Sequence, residues 1–188
     1  ELTKQLAEFA SQHGAWDYVI HNAGLTKTLN KQNFFKVNTE NTHRFIEALA
    51  AANCKPAKFL LMSSLSSFGQ GDEKNFTPIK LADAQKPNTV YGQSKLLAEN
   101  YLRKQNHFPY IILRPTGVYG PGEKDYFMEI QSVQSGMDFA AGFTPQRITF
   151  IYVKDLATVA FLALENKQII NREYFVADGD VYTDKEFA

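Results

Sequence analysis

The feature that most constrains this chain is a repeated alternation of short apolar runs with longer segments of helical periodicity. The runs are Asp17-Tyr18-Val19-Ile20-His21, Lys58-Phe59-Leu60-Leu61-Met62, Tyr110-Ile111-Ile112-Leu113-Arg114, a stretch over 148–153, and Tyr174-Phe175-Val176. Strands apolar at nearly every position, rather than at every second one, are buried on both faces. Between them, Leu2, Leu6 and Phe9 fall at helical spacing, as do Phe34, Val37, Phe45, Leu49 and Ala52 in a long helix predicted over 33–52. Further helices are predicted over 89–105, 125–136 and 154–165. This alternation predicts an α/β fold: a doubly wound parallel sheet with helices on both faces. The polar stretch up to Asn88, with Pro78 and Pro87, reads as loop. Residues 115–122, with three glycines and two prolines, read as irregular chain. Ligands of such sheets bind beyond the carboxyl ends of the strands. Asn22, Ser63, Ser64 and Thr116 fall there.

Composition removes several classes of function. At 188 residues the chain has the size of one domain, 1–188, with a single core. Its formal net charge is zero, so it carries no electrostatic footprint for nucleic acid or an anionic membrane. No apolar run approaches the roughly 20 residues that span a bilayer. No secretory pattern opens the chain. The lone cysteine, Cys54, excludes an internal disulfide and fits a reducing, cytoplasmic setting. It reads as a small buried filler near a helix end. His13, His21, His43 and His107 lack metal-ligand spacing, so no metal site is expected.

The chemistry centres on Tyr91 and Lys95, which are one helical turn apart and share a helix face. A free phenol, with its pKa of about 10, is a poor base near neutral pH. A nearby ammonium favours the phenolate and brings proton exchange toward physiological pH. A serine hydroxyl at the mouth of the neighbouring strand could bond the same substrate oxygen. Such a set suits proton transfer at an alcohol or carbonyl oxygen while a cofactor handles the hydride. A Tyr/Lys pair at this spacing arises often by chance. The longer string Tyr91-Gly92-Gln93-Ser94-Lys95, together with strand-end Ser63-Ser64, does not.

These strings, with Arg114-Pro115-Thr116-Gly117-Val118-Tyr119-Gly120-Pro121-Gly122, resemble the extended short-chain dehydrogenase/reductases, the NAD-dependent epimerase/dehydratase family. Val19-Ile20-His21-Asn22-Ala23-Gly24 resembles that family's fourth-strand motif, and Phe150-Ile151-Tyr152-Val153-Lys154-Asp155 its late strand-to-helix motif. The resemblance covers nearly the whole chain and implies a Rossmann-like sheet with part of a small substrate-binding region around 120–150 and 177–188. It implies Tyr91 as the acid/base, and Lys95 as the residue that lowers the Tyr91 pKa and holds nicotinamide ribose. Ser64 orients the reacting oxygen. Ser64 is preferred to Ser63 because it directly precedes the three residues before the Phe68-Gly69 pair. Asn38 supports the site or, equally, is a helix-bending structural amide. Asn22, Ala23, Gly24 and Ser63 line the cofactor, with Pro115, Thr116 and Val118 beside the nicotinamide. Phe68 stands where many members have tyrosine. The family also commonly dimerises through the Tyr91 helix and the long helix before it, which implies a homodimer.

One family element has no counterpart. No glycine-rich turn opens a helix to receive a cofactor pyrophosphate, since Gly117, Gly120 and Gly122 follow a late strand. The first strands are likewise unmatched, so the resemblance implies a partial domain from a larger protein, with an exposed sheet edge and no turnover on its own. The cofactor is NAD or NADP, and the residue that would distinguish them has no counterpart either.

The substrate is expected to be a small molecule. Leu65-Ser66 stands where the family's dehydratases carry an acidic pair, which disfavours dehydration. Its sugar-nucleotide epimerases carry a diphosphate-gripping arginine before the late strand. Arg147 aligns one residue early, and one step along a strand reverses the face. Phe127, Phe139 and Phe143 on the substrate side suit an apolar or mixed substrate, although such aromatics also serve as core. The pattern therefore favours a reductase or dehydrogenase over a nucleotide-sugar epimerase. A non-catalytic sensor of NAD(P) on the same fold is the third reading, and the intact Ser64, Tyr91 and Lys95 set argues against it.

Overall fold

The computed structural model describes residues 1–136, 146–183 and 186. In chain order the elements are α1 (Leu2–His13), β1 (Tyr18–His21), α2 (Gln32–Phe34), a π-helical turn (Phe35–Glu40), α3 (Asn41–Ala51), β2 (Lys58–Met62) and a 3₁₀ turn (Leu65–Ser67). There follow α4 (Val90–Lys104), β3 (Tyr110–Pro115), β4 (Gly117–Tyr119), α5 (Asp125–Gln134), β5 (Arg147–Ile148), β6 (Phe150–Tyr152), α6 (Val153–Glu165), β7 (Arg172–Val176) and β8 (Tyr182–Thr183).

The four-stranded sheet has the order β1-β2-β3-β7, and every neighbouring pair is parallel. Its central strands β2 and β3 are apolar on both sides because both of their sides are covered. Phe59, Leu61 and Ile112 face a core built with Leu6 of α1, Ile46 and Leu49 of α3, and Ala98 and Leu102 of α4. Leu60, Ile111 and Leu113 face the opposite way, onto Leu156, Ala160, Ala163 and Leu164 of α6. Successive residues thus alternate between two cores, which is the period of two that strands impose. The α/β doubly wound arrangement expected from the sequence is the one present. Cys54 is fully buried just beyond α3, where it was expected as a filler. On β1, at the sheet edge, Tyr18 and Ile20 are exposed. Among the described residues no helix is long and apolar enough to cross a membrane.

Local structure departs from the sequence reading in three places. The helix predicted over 33–52 is not continuous, because it widens into the π turn at Phe35–Glu40. There Asn38 is turned inward and held by the Leu25 backbone and Ser94, contacts that a straight helix would place differently. The 115–122 stretch is not wholly irregular. β3 continues through Pro115, and Gly117–Tyr119 pairs in parallel with β6, giving its backbone groups partners that sequence alone does not reveal. The single strand expected over 148–153 is two strands in two different sheets: β5 runs antiparallel to β8, and β6 parallel to β4. Of the substrate-side aromatics, Phe139 and Phe143 lie outside the described residues.

Candidate active site

β2 discharges into the 3₁₀ turn, and α4 starts beside that turn. Thr89 caps α4, its hydroxyl accepting from the Gly92 amide at 3.0 Å, a contact worth about 1 kcal/mol in helices generally. Gly92 sets how closely the two segments approach. A Cβ at that position would lie 2.2 Å from the Ser66 carbonyl oxygen, so any side chain would force α4 off the turn. This packing carries the Tyr91 phenol to Ser64, with which it hydrogen-bonds. Phe34 meets the edge of the Tyr91 ring, with centroids 5.9 Å apart.

Lys95, one turn farther along α4, is buried and donates to the Met62 carbonyl at 2.7 Å. Its ammonium lies beside Gly24, where a Cβ would stand 3.5 Å from Nζ. Burial pulls Lys95 down to about 8 while the Glu99 carboxylate opposes the fall. The Tyr91 phenol moves the other way: burial raises it and the Ser64 bond only moderates the rise. The expected lowering of Tyr91 by Lys95 is therefore not the arrangement in this structure. The phenol is held protonated, and the ammonium is engaged by the strand carbonyl.

A cavity of about 700 Å³ opens at the carboxyl ends of β2 and β3. Ser63, Ser64, Tyr91, Pro115, Thr116 and Val118 line it, so six of the residues picked from the sequence come together around one space. Asn22, Ala23 and Gly24 are exposed at the carboxyl end of β1. Asn38 is buried behind them, its amide accepting from the Leu25 amide at 2.7 Å and donating to the Leu25 carbonyl and the Ser94 hydroxyl, both at 3.0 Å. These bonds tie the segment after β1 to α4, and none of them reaches Tyr91. Ser63 lines the cavity, and its hydroxyl is donated to Glu99. The hydroxyl is thus not presented to a cofactor. Phe68 is buried against the Arg114 guanidinium, 5.0 Å from ring centroid to Cζ. A second, smaller cavity of about 330 Å³ in the loop around Asp72 and Asp83 contains neither Tyr91 nor Ser64.

Arg147 was weighed in the sequence and set aside as off register, and other residues of the cavity wall were not singled out there. Arg147 lines the main cavity, with its guanidinium 5.4 Å from the centroid of the Phe76 ring. Thr26, Tyr126 and Thr149 add polar groups to the wall. Lys27 and Asp125 form an ion pair between the segment after β1 and the start of α5. Phe127, in contrast, is more than half exposed on α5 and is not in the cavity wall. Behind the cavity lies a buried polar cluster of Glu99, Arg114, Arg103 and Glu173. Its one legible signal was the spacing of Glu99, a further turn along the Tyr91–Lys95 face.

Comparison with known proteins fits this geometry. Residues 2–177 match the profile described as Epimerase, the NAD dependent epimerase/dehydratase family. The chain belongs to that family. Matched relatives include enzymes: UDP-glucose 4-epimerase of Vibrio cholerae is 29% identical over 154 residues, covering 79% of this chain and 46% of that protein. dTDP-4-dehydro-6-deoxyglucose reductase of Escherichia coli is 29% identical over 180 residues, 86% of this chain and 54% of that one. Among solved structures, UDP-glucuronic acid 4-epimerase from Bacillus cereus in complex with NAD aligns with TM-score 0.79 at 23% identity, over 96% of this chain and 59% of that chain. The last likeness is one of fold, and the fold is the Rossmann type. The chain spans about half the length of the curated relatives it matches.

Proposed function

We propose that this chain carries the catalytic side of an NAD-dependent enzyme that oxidises or reduces a hydroxyl-bearing carbon. The observation that carries this reading is the Tyr91 phenol bonded to Ser64 at the wall of a cavity that Thr116 and Val118 also line. The residues present fit the nicotinamide-ribose end of such a cofactor. Lys95 stands beside Gly24, where the absence of a side chain leaves the ammonium approachable from the exposed β1 end. Asn22, Ala23 and Gly24 would flank the ribose, and Thr116 and Val118 the nicotinamide. NAD supplies the hydride acceptor or donor.

The chain's own part is the proton. Burial keeps Tyr91 protonated, so in the reducing direction the phenol donates its proton to a carbonyl oxygen and becomes a phenolate, and in reverse that phenolate takes the proton back from the alcohol. Ser64 fixes that oxygen by a second hydrogen bond. Lys95, near 8, is mostly charged at pH 7, and beside Gly24 its ammonium would hold the ribose hydroxyls of the cofactor while it donates to the Met62 carbonyl.

The substrate reading rests on the wall. Arg147 shares the cavity with Tyr91, and Thr26, Tyr126 and Thr149 make the rest polar. This favours a hydroxylated substrate with an anionic group, as in a nucleotide sugar, over the apolar substrate suggested by sequence aromatics. With Arg147 in the cavity wall and Phe127 outside it, nothing in the wall favours a reductase over an epimerase. Epimerisation of a nucleotide sugar and reduction of a keto sugar both use this machinery.

Two variants test the proposal, with turnover of nucleotide sugars and NADH binding by fluorescence as readouts. Tyr91→Phe is expected to lower kcat by about 10²- to 10⁴-fold with NADH affinity unchanged. Arg147→Ala is expected to raise KM for phosphate-bearing substrates and leave NADH affinity alone. Full turnover by Tyr91→Phe would remove the catalytic reading and leave a binding protein. An unchanged KM in Arg147→Ala would remove the nucleotide-sugar reading.

A further inference from the structure

Three consecutive residues at the end of β2 are each tied to a residue of α4, and those α4 residues are successive turns of one face. Ser64 bonds Tyr91, the Met62 carbonyl accepts from Lys95, and the Ser63 hydroxyl donates to Glu99. Tyr91 and Lys95 are already assigned to the reaction. Glu99 is fully buried and too far along the helix to line the cavity. It nevertheless receives donors from β3, from α4 itself and from the loop before α4. Arg114 donates through Nε to Oε1 at 3.0 Å and through Nη2 to Oε2 at 2.9 Å. Arg103 Nη2 and Gln85 Nε2 reach Oε2 at 3.0 and 2.8 Å.

We infer that Glu99 is a positioning residue that, through the Ser63 hydroxyl, sets the Ser64 hydroxyl against the Tyr91 phenol. The reasoning is geometric. The Ser63 amide is fixed by the Leu113 carbonyl at 2.8 Å, and the Lys95 bond holds the carbonyl of that same Met62–Ser63 peptide. With the Ser63 side chain also anchored on Glu99, the residue before Ser64 is held through both its peptide and its hydroxyl. Arg114 extends the same anchor to the adjoining strand, one residue before Pro115 and two before Thr116. Both walls of the cavity are therefore registered to one carboxylate. Glu99 also acts on the site through charge, since it opposes the burial-driven fall of Lys95.

This assignment rests on the reading of Tyr91 as the reacting acid/base, and the experiment separates the two. Glu99→Gln removes the charge that fully buried Arg114 faces and loosens the fold itself, so Ser63→Ala carries the test. It deletes one rung while Glu99 keeps its bonds to Arg114, Arg103 and Gln85. The expected result is a fall in kcat of about tenfold, the scale of a small misplacement of reacting groups, with KM for NAD and substrate unchanged and the melting temperature retained. An unchanged kcat overturns the assignment. So does a raised KM for NAD at constant kcat, which would make Ser63 a direct cofactor contact. If the chain by itself turns over no substrate, as expected of a partial domain, the ladder is judged by ¹³C-tyrosine resonances. The Tyr91 signal, identified by its loss in Tyr91→Phe, must then shift in Ser63→Ala, and an unshifted signal overturns the inference.

Discussion

Leu113 and Arg114 are neighbours on β3, and they belong to different worlds. Leu113 points to the α6 side, into a core of Leu60, Ile111, Leu156 and Leu164. Arg114 is as completely buried, yet it is held by Glu99 and Glu173 between the rings of Phe68 and Phe175. The same division runs through the sheet. On the α6 side the buried cluster is apolar, and the one buried charge against it, Lys58 at the amino end of β2, only closes the end of α6 by donating to the Leu164 and Asn166 carbonyls. On the α4 side an apolar floor of Ile46, Leu49, Phe59 and Leu102 gives way, toward the carboxyl ends of the strands, to His21, Asn38, Lys95 and Glu99. One face is organised for stability alone, and the other also fixes where polar groups stand. Buried ion pairs are seldom net stabilisers compared with well-packed apolar residues. Their retention here is explained by placement of the strand ends rather than by stability.

This contrast can be broken most forcefully at Arg114. Arg114→Met should destabilise the protein by about 3–5 kcal/mol, because it leaves the Glu99 carboxylate buried without its main partner. Its activity per folded molecule should fall as well. Denaturant unfolding together with active-site titration measures both. Leu113→Ala, one residue away, should cost about 3 kcal/mol through lost burial and a residual cavity, yet activity per folded molecule should stay near wild type. If Leu113→Ala damaged kcat as Arg114→Met does, the division between the faces would be wrong.

A smaller effect sharpens the comparison on the polar side. His21 bonds Thr42 at 2.9 Å, and burial together with the Lys95 charge lowers it to about 4. Its ordinary value is near 6.5, so between pH 6.5 and 4 the unfolded chain binds a proton that the folded chain does not. The stability this lends is complete above pH 6.5 and is lost as pH falls toward 4, by on the order of 2–3 kcal/mol. Urea unfolding at pH 7 and pH 4.5 should show that slope, and His21→Gln should flatten it.

Much of the site was legible before the fold was known, for local reasons. Tyr91 and Lys95 share a face because helical spacing puts them there. Ser64 reaches them because a buried parallel strand must end at the ligand side of the sheet. Arg147 was misjudged because strand register was counted along a strand that is in fact divided between two sheets. Ser63 was read as a cofactor contact because nothing nearby in sequence announces Glu99 as the destination of its hydroxyl. The π turn around Asn38 was invisible for a similar reason: its cause is the Leu25 backbone and Ser94, which lie outside that helix.

The sequence by itself determined the sheet, the two-sided burial and the face of α4 that carries the reactive side chains. All of these follow from periodicity and from the cost of exposing apolar strands. Only the tertiary structure decided the pairing of Gly117–Tyr119 with β6, the entry of Arg147 into the cavity, and the anchoring of two strand ends on Glu99. Those contacts join residues far apart in the chain. Their existence depends on where packed elements bring backbone and side-chain groups to within hydrogen-bonding distance, and no local pattern encodes that distance.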